Sequence, residues 1–218
     1  EVTVSYHTAT AAAPDAILNA SSQVDVHVND IEDAWKLGIA MLPVPQKMAA
    51  ESKKLRGISS LHISRLEKGE QFDPEDVLLK SINEASENLN IYVKSTIQKL
   101  LKGRKIVGLV GGEHSVPVGF IRALSEEYDR FGILQIDAHA DLRKAYEGFT
   151  YSHASVMYNA LKIPAVSRLV QVGVRDLCEE EMNVIQRAMG RVAPFFDQDI
   201  KQKMYTGTTW DNICDDII

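Results

Sequence analysis

The sequence predicts an α/β fold in which a mainly parallel sheet lies between two layers of helices, a three-layer α/β/α arrangement. Apolar runs of strand length recur at residues 105–110, 132–136 and 169–174. Segments with helical spacing separate these runs, and glycines mark several of the turns. Strands that alternate with helices form parallel sheets covered on both faces, because each crossover places a helix over the sheet.

The first 70 residues predict little regular structure. Valines alternate with polar residues over 24–28, as in a short strand, and residues 31–41 have helical spacing. Pro43 and Pro45 should end that helix, because proline has no amide donor and its ring clashes with the preceding turn.

A long helix is predicted from Asp73 to about Lys102. Asp73 suits the N-cap, Pro74 the first helical position and Asp76 the positive end of the helix dipole. Gly103 is placed to end this helix.

The remaining predicted elements follow in chain order. The sequence predicts buried strands at 105–110, 132–136 and 169–174, and helices at 115–128, 155–161, 179–189 and 210–218. With 218 residues, 45% of them hydrophobic, we expect one domain over residues 1–218. Because the last helix stops at two apolar isoleucines, we also expect the chain to be cropped at its C-terminus.

Composition argues against several functions. The formal net charge of -6 and the pI of about 5.5 disfavour nucleic-acid binding, which needs Lys and Arg to neutralise phosphates. No apolar run approaches the roughly 20 residues that span a bilayer. Cys178 and Cys214 lack zinc-site spacing. We therefore expect a soluble cytoplasmic protein with neither a nucleic-acid nor a membrane partner.

Metal-type side chains directly follow the strand at 132–136. Asp137, His139 and Asp141 are separated by single alanines, and alternate residues of an extended chain project to the same side. Ligand crevices of parallel sheets lie beyond the carboxyl ends of the strands. Alternatively, the acids cap a neighbouring helix and the histidine packs in a crevice. The shared spacing of all three favours a metal site.

A histidine also follows the predicted strand at 105–110. Gly111 and Gly112 allow a tight turn that brings His114 toward the same sheet edge, although Ser115 as a simple helix cap is the alternative. Nitrogen and oxygen ligands without thiolate suit manganese better than zinc or iron. Carboxylates that can bridge indicate two metal ions.

Three motifs resemble those of the ureohydrolases, the family of arginases and agmatinases. They are GGEHS at 111–115, DAHAD at 137–141 and SHAS at 152–155. The resemblance is specific over residues 105–175. It implies an arginase-like fold, two Mn²⁺ per subunit, and a homo-oligomer, a trimer or hexamer.

The resemblance also assigns roles to single residues. It implies that Asp137 bridges the two metals, that Asp141 is both a ligand and a catalytic residue, and that His153 shuttles a proton and contacts substrate. The implied metal ligands are His114, Asp137, His139 and Asp141.

One part of the family pattern is not recognisable. The family completes its site with an Asp-x-Asp pair on a later strand. Here Asp197 and Asp199 follow Phe195 and Phe196 too early, and the pair at 215–216 has the wrong spacing. This departure agrees with the expectation of a cropped chain.

The loop at 142–151 bears on the substrate. Its sequence LRKAYEGFTY resembles agmatinases rather than the Ser/Asn-rich loop with which arginases hold a carboxylate, and Glu147 is the candidate contact for a substrate amine. We expect hydrolysis of agmatine to urea and putrescine, a step of polyamine biosynthesis. The alternatives are arginine, another guanidino or formimino compound, a single-zinc amidohydrolase resembling histone deacetylases, and a catalytically inactive protein.

Overall fold

A parallel sheet forms the centre of the computed structural model, which describes residues 1–5, 9–71 and 73–218. All neighbouring strands run in the same direction, and the pairing places Gln135 opposite Gln171 and Val172 opposite Phe195. The predicted α/β class with a parallel sheet is confirmed. The strands are, in spatial order, β1 (Phe131–Ile136), β2 (Val166–Val174) and β3 (Val192–Phe196).

Helices make up most of the rest of the described chain. None of them combines the length and apolar character needed to cross a bilayer. They are α1 (Ala13–Ser21), α2 (Gln46–Glu67), α3 (Val77–Lys102), α4 (Pro117–Glu127), α5 (Val156–Leu161), α6 (Glu179–Arg187), α7 (Asp197–Tyr205) and α8 (Trp210–Ile217). Short 3-10 turns occur at Thr10–Ala12, Ala34–Leu37 and His153–Ser155.

Both faces of the sheet carry helices, which gives the predicted three layers. Helices α4, α5 and α6 contribute to the main apolar core on one face, where Leu169 is fully buried. On the other face, Ile200 of α7 and Ile213 of α8 pack with Val172. This second layer covers β2 and β3 and leaves Leu134 and Ile136 of β1 exposed.

The predicted strand at residues 105–110 is wrong. Among the described residues this segment pairs with no strand, and Ile106 is fully exposed. Val107 packs instead with Leu101 and Ala123, in a cluster formed by α3 and α4. Helices α3 and α4 contact each other directly, and this segment packs against them through Val107.

Two predictions near the N-terminus are also wrong. Residues 24–28 form no strand, since no element packs on the alternating valines, which remain exposed. Of the predicted helix at 31–41, only the turn Ala34–Leu37 forms. Helix α2, which begins after Pro45, was not predicted, because its largely polar sequence shows only a weak apolar stripe.

Helix α3 begins later than predicted and ends as predicted. The Asp76 side chain caps it by accepting a hydrogen bond from the Leu78 amide at 2.7 Å, whereas Asp73 accepts from the Glu75 amide in the preceding turn. Gly103 follows its last residue.

The elements nearest the predicted site agree with the sequence to within three residues, and they comprise β1, β2, α4, α5 and α6. Helix α8 also forms where helical spacing predicted it. Strand β3 and helix α7 were not predicted. Pro194 interrupts the strand pattern of β3, and proline is tolerated in strands mainly at sheet edges, which is where β3 lies.

Candidate metal centre

Three of the predicted ligands meet at the carboxyl end of β1. Asp137 directly follows that strand, Asp141 lies four residues further along the same loop, and His114 comes from the loop before α4. One potential ligand atom of each residue lies within 4.8 Å of the other two. In the part of the chain that the structure describes, this is the group of His, Cys, Asp or Glu side chains suited to a metal ion.

Hydrogen bonds connect the three side chains directly. The His114 Nδ1 donates to Asp141 Oδ2 at 2.5 Å, and Asp137 Oδ2 lies 3.2 Å from the same nitrogen. The Asp141 side chain is 7% exposed, whereas that of His114 is 34% exposed. The group is therefore buried on the Asp141 side and open to solvent on the His114 side.

Charge interactions shift the proton affinities within this group. Burial alone would lower the pKa of His114, but hydrogen bonds and the negative charges of Asp137 and Asp141 outweigh burial and raise that pKa to about 9. Burial likewise opposes ionisation of Asp137, yet hydrogen bonds from His114 and from the His139 amide hold the pKa of Asp137 well below its usual range. The group therefore favours a cation between two carboxylates.

The loop geometry differs from the extended backbone that predicted this convergence. Residues 137–140 lie beyond β1 and keep one parallel bridge, from His139 to Asp176, and Asp141 has a φ of 53°, in the left-handed region. Few residues with a side chain adopt that conformation, although aspartate does so more readily than most. The Asp141 carbonyl accepts amide hydrogen bonds from Met157 at 3.1 Å and Tyr158 at 3.2 Å, which hold it against α5.

The His114 loop is fixed by a buried acid. Glu113 is 8% exposed, and its carboxylate accepts from the Ser115 amide and hydroxyl, both at 2.7 Å, and from the Thr3 hydroxyl at 3.2 Å. Ser115 therefore binds Glu113 and does not cap α4. A Cβ at Gly111 would lie 2.4 Å from Val116 Cγ2, so any other residue there would require Val116 or the loop to move.

His139 lies beside the group of His114, Asp137 and Asp141 but outside it. Its Nδ1 is 3.4 Å from Asp137 Oδ1, and its Nε2 is 3.9 Å from Asp176 Oδ2. The side chain is 59% exposed. Its role as a ligand stays a prediction.

His153 lies within electrostatic range of the group. Burial lowers its pKa, the negative charges of Glu113 and Asp141 oppose that effect, and the two histidines 139 and 114 add to it. Its ring stands edge-on to Tyr146, with ring centres 5.9 Å apart. Its Nδ1 is 3.3 Å from the Ser152 hydroxyl.

Glu147 faces helix α2. Its backbone carbonyl accepts a hydrogen bond from His62 Nε2 at 2.9 Å, and burial raises the pKa of its carboxyl group. One carboxylate oxygen is buried and accepts no hydrogen bond from any described residue. The predicted contact with substrate stays a prediction.

Neither aspartate pair near the C-terminus joins the group. Asp197 and Asp199 lie in the first turn of α7, where Asp197 forms an ion pair with Lys201 at 2.9 Å. Asp215 and Asp216 lie in α8.

Sequence reasoning missed two amides beneath the loop that follows β1. Gln171, which is fully buried, donates to Gln135 Oε1 at 2.6 Å and to the Ala140 carbonyl at 2.7 Å. Gln135 in turn donates to the His139 carbonyl at 3.3 Å. The available signal was a glutamine inside each of two buried strands, at positions that pair in the sheet.

Parts of this chain are similar to known proteins. An agmatinase from Halalkalibacterium halodurans is 32% identical over 137 residues, which cover 63% of this chain and 47% of that protein. An N(1)-aminopropylagmatine ureohydrolase from Synechocystis is 33% identical over 91 residues, covering 41% of this chain and 29% of that protein. The crystal structure of an agmatine ureohydrolase of Thermoplasma volcanium is 32% identical and has a TM-score of 0.46, covering 53% of this chain and 38% of that one.

These similarities involve less than half the length of each of the three proteins. The family comparison reaches further along this chain, because residues 1–215 match the family described as the Arginase family. That range contains β1, β2 and β3 and every residue of the group at the end of β1. The chain belongs to the arginase family.

Proposed function

We propose that this chain carries the site of a manganese-dependent ureohydrolase whose substrate is agmatine. The observation that carries the proposal is the convergence of His114, Asp137 and Asp141 at the sheet edge. One imidazole and two carboxylates, with no thiolate, form a donor set suited to manganese. Membership of the arginase family supports two ions per subunit.

The residues of the group fit a metal ion. His114, Asp137 and Asp141 would hold it, with His139 as a further ligand from the same loop. Bound manganese supplies activation of the attacking water and electrostatic stabilisation of the transition state. Asp141 is the least exposed of the three ligands, so its direction is the most constrained.

His153 is the proposed proton carrier. Its lowered pKa keeps the imidazole neutral at pH 7, so that Nδ1 or Nε2 can accept a proton and pass it to the leaving amine. A neutral imidazole also adds no positive charge beside a cationic guanidinium. The Tyr146 ring limits the orientations that the His153 ring adopts.

The loop at 142–151 supports an amine-ended substrate. It lacks the Ser/Asn-rich stretch expected for an α-carboxylate, and it contains Glu147. Because burial raises the pKa of Glu147, a cationic partner would stabilise its carboxylate. The protonated amine of agmatine is such a partner, whereas arginine places a carboxylate beside its ammonium group and would bring a second negative charge toward Glu147.

N(1)-aminopropylagmatine is the second candidate substrate. It also lacks a carboxylate and ends in an amine, and a relative that is 33% identical is named for this substrate. The two compounds differ in the length of the chain beyond the guanidine, which the loop at 142–151 would have to accommodate.

The test is urea release by the manganese-loaded protein, offered agmatine, N(1)-aminopropylagmatine and arginine separately. We expect urea from agmatine, loss of activity in Asp137→Ala, and wild-type activity in Asp129→Ala, which alters an exposed aspartate before β1. A preference for the aminopropyl compound would select the second candidate. Urea from arginine alone would contradict both. No urea from any compound, with manganese bound, would favour a catalytically inactive protein.

A further inference from the structure

A buried acid outside the metal group contacts its loop. Glu181 lies in the first turn of α6 and is 3% exposed. Its Oε1 accepts a hydrogen bond from the Leu142 amide at 3.0 Å, and its Oε2 accepts one from the Cys178 amide at 2.9 Å. Arg143 Nε lies 3.7 Å from Oε2 and supplies an opposite charge.

The contact with Leu142 completes the fixation of one peptide group. The peptide between Asp141 and Leu142 has its carbonyl bound by the Met157 and Tyr158 amides and its N–H bound by Glu181. Helix α5 therefore holds one side of this peptide and helix α6 holds the other. A peptide plane bound on both sides cannot rotate without breaking three hydrogen bonds.

Rotation of this peptide matters because of the conformation of Asp141. Its φ of 53° is disfavoured for a residue with a side chain and persists where surrounding contacts impose it. Any relaxation toward an ordinary backbone conformation would redirect the carboxylate that now lies 2.5 Å from His114 Nδ1. The contact with Glu181 is one of those that impose this conformation.

We propose that Glu181 is a positioning residue for the metal centre, fixing the Asp141–Leu142 peptide and through it the direction of the Asp141 carboxylate. This inference rests on the proposed metal site. A carboxylate suits the task because it is a pure acceptor and can receive two backbone N–H groups, one on each oxygen. Glutamine at this position would turn an NH₂ donor toward one of them.

A simpler role is confined to α6. Glu181 occupies the third position of that helix, and its bond from the Cys178 amide is the usual contact of such a residue with the N-cap. Loss of this cap would lower stability without affecting the metal ligands. The two roles therefore predict different effects on manganese affinity and on the hydrogen exchange rate of the Leu142 amide.

The experiment compares Glu181→Gln with Glu180→Gln, which removes an exposed charge from the same turn of α6. Manganese affinity is measured by titration calorimetry, and exchange of the Leu142 amide by NMR in the metal-free protein. For Glu181→Gln we expect manganese affinity to fall about 10–100-fold and the Leu142 amide to exchange faster. Glu180→Gln should match the wild type in both. Glu181→Asp keeps the charge but has a shorter side chain, so its manganese affinity and its Leu142 exchange rate should lie between those of the other two variants. It replaces the glutamine variant if that variant does not fold.

A lower melting temperature with unchanged manganese affinity and unchanged Leu142 exchange would overturn the inference and leave only the cap of α6. Wild-type protein that binds no manganese would contradict the proposed function instead. In that case the exchange measurement still decides whether Glu181 fixes the peptide, because it needs no metal.

Discussion

The pairing of His114 with Asp137 and Asp141 makes the stability of the metal-free protein depend on pH. The folded-state pKa of about 9 lies above the ordinary value of 6.5, so the stabilisation is complete below pH 6.5 and is lost as pH rises through about 9. We expect the melting temperature, measured in chelator, to fall over that interval. His114→Gln should remove this fall in melting temperature. An equal fall in that variant would show that other groups cause the pH dependence.

His153 is expected to affect turnover and not metal loading. His153→Asn keeps a polar side chain but cannot carry a proton, so kcat should fall about 10²–10⁴-fold. Manganese affinity, measured by calorimetry, should stay within twofold of the wild type. Parallel loss of affinity and kcat would show that His153 acts through the metal ligands.

The sequence predicts the side chains of this site better than it predicts what supports them. His114, Asp137 and Asp141 stand beside glycines and alanines at the ends of apolar runs, a local signal that needs no tertiary information. Glu181 and Gln171 carry no such signal, because their partners lie 39 and 31 positions away in the chain. A glutamate on the surface and a buried glutamate that accepts backbone hydrogen bonds look the same in a sequence.

Helix α4 packs closely against α3 at Gly119. A Cβ on Gly119 of α4 would lie 2.4 Å from the Asn90 carbonyl oxygen and 2.8 Å from Val93 Cβ of α3, both of which are rigid. We therefore expect Gly119→Ala to lower the free energy of unfolding by about 1–3 kcal/mol in denaturant titrations, because it overpacks this contact.

Gly57 in α2 provides the matched control for Gly119. No atom lies within 4 Å of a Cβ built there, so Gly57→Ala should be neutral or raise the free energy of unfolding by about 0.5–1 kcal/mol through its higher helix propensity. If Gly119→Ala behaved in the same way, α3 and α4 would have to be separated more widely than the structure indicates.

Elements with a clear apolar pattern were predicted, but the pattern alone does not tell whether an apolar run finds a partner strand. Helices α4 and α6 have an apolar stripe and recognisable ends, so their sequence predicts them. The run at 105–110 is as apolar as β1, yet a strand exists only where a neighbouring strand receives its hydrogen bonds. Composition could not reveal that Val107 packs with the helices instead.

At the scale of the whole molecule, the β1 edge of the sheet is unpaired in the described part of the chain. Among the described residues β1 pairs only with β2, and Leu134 is 59% and Ile136 79% exposed. Unpaired edges with apolar side chains are prone to pair with other chains. We expect this 218-residue chain to self-associate as its concentration rises, as light scattering would measure.

A charge on this edge should reduce that association. Ile136→Lys places an ammonium group at a solvent-exposed position, so it should shift the equilibrium toward monomer with little change in melting temperature. The control is Met189→Lys, which alters another exposed apolar residue, after α6. If both variants reduced self-association equally, the cause would be the added charge and not its place on the β1 edge.

His114 and Asp141 are 27 positions apart, one in the loop before α4 and the other in the loop after β1. A cation held between them would act as a removable cross-link, closing a long loop that the unfolded chain leaves open. Metal binding would then be linked to folding, and free manganese at 100 times its dissociation constant would add about 2.7 kcal/mol to the stability of the folded chain. The amount of folded protein would in this way report the manganese supply of its surroundings.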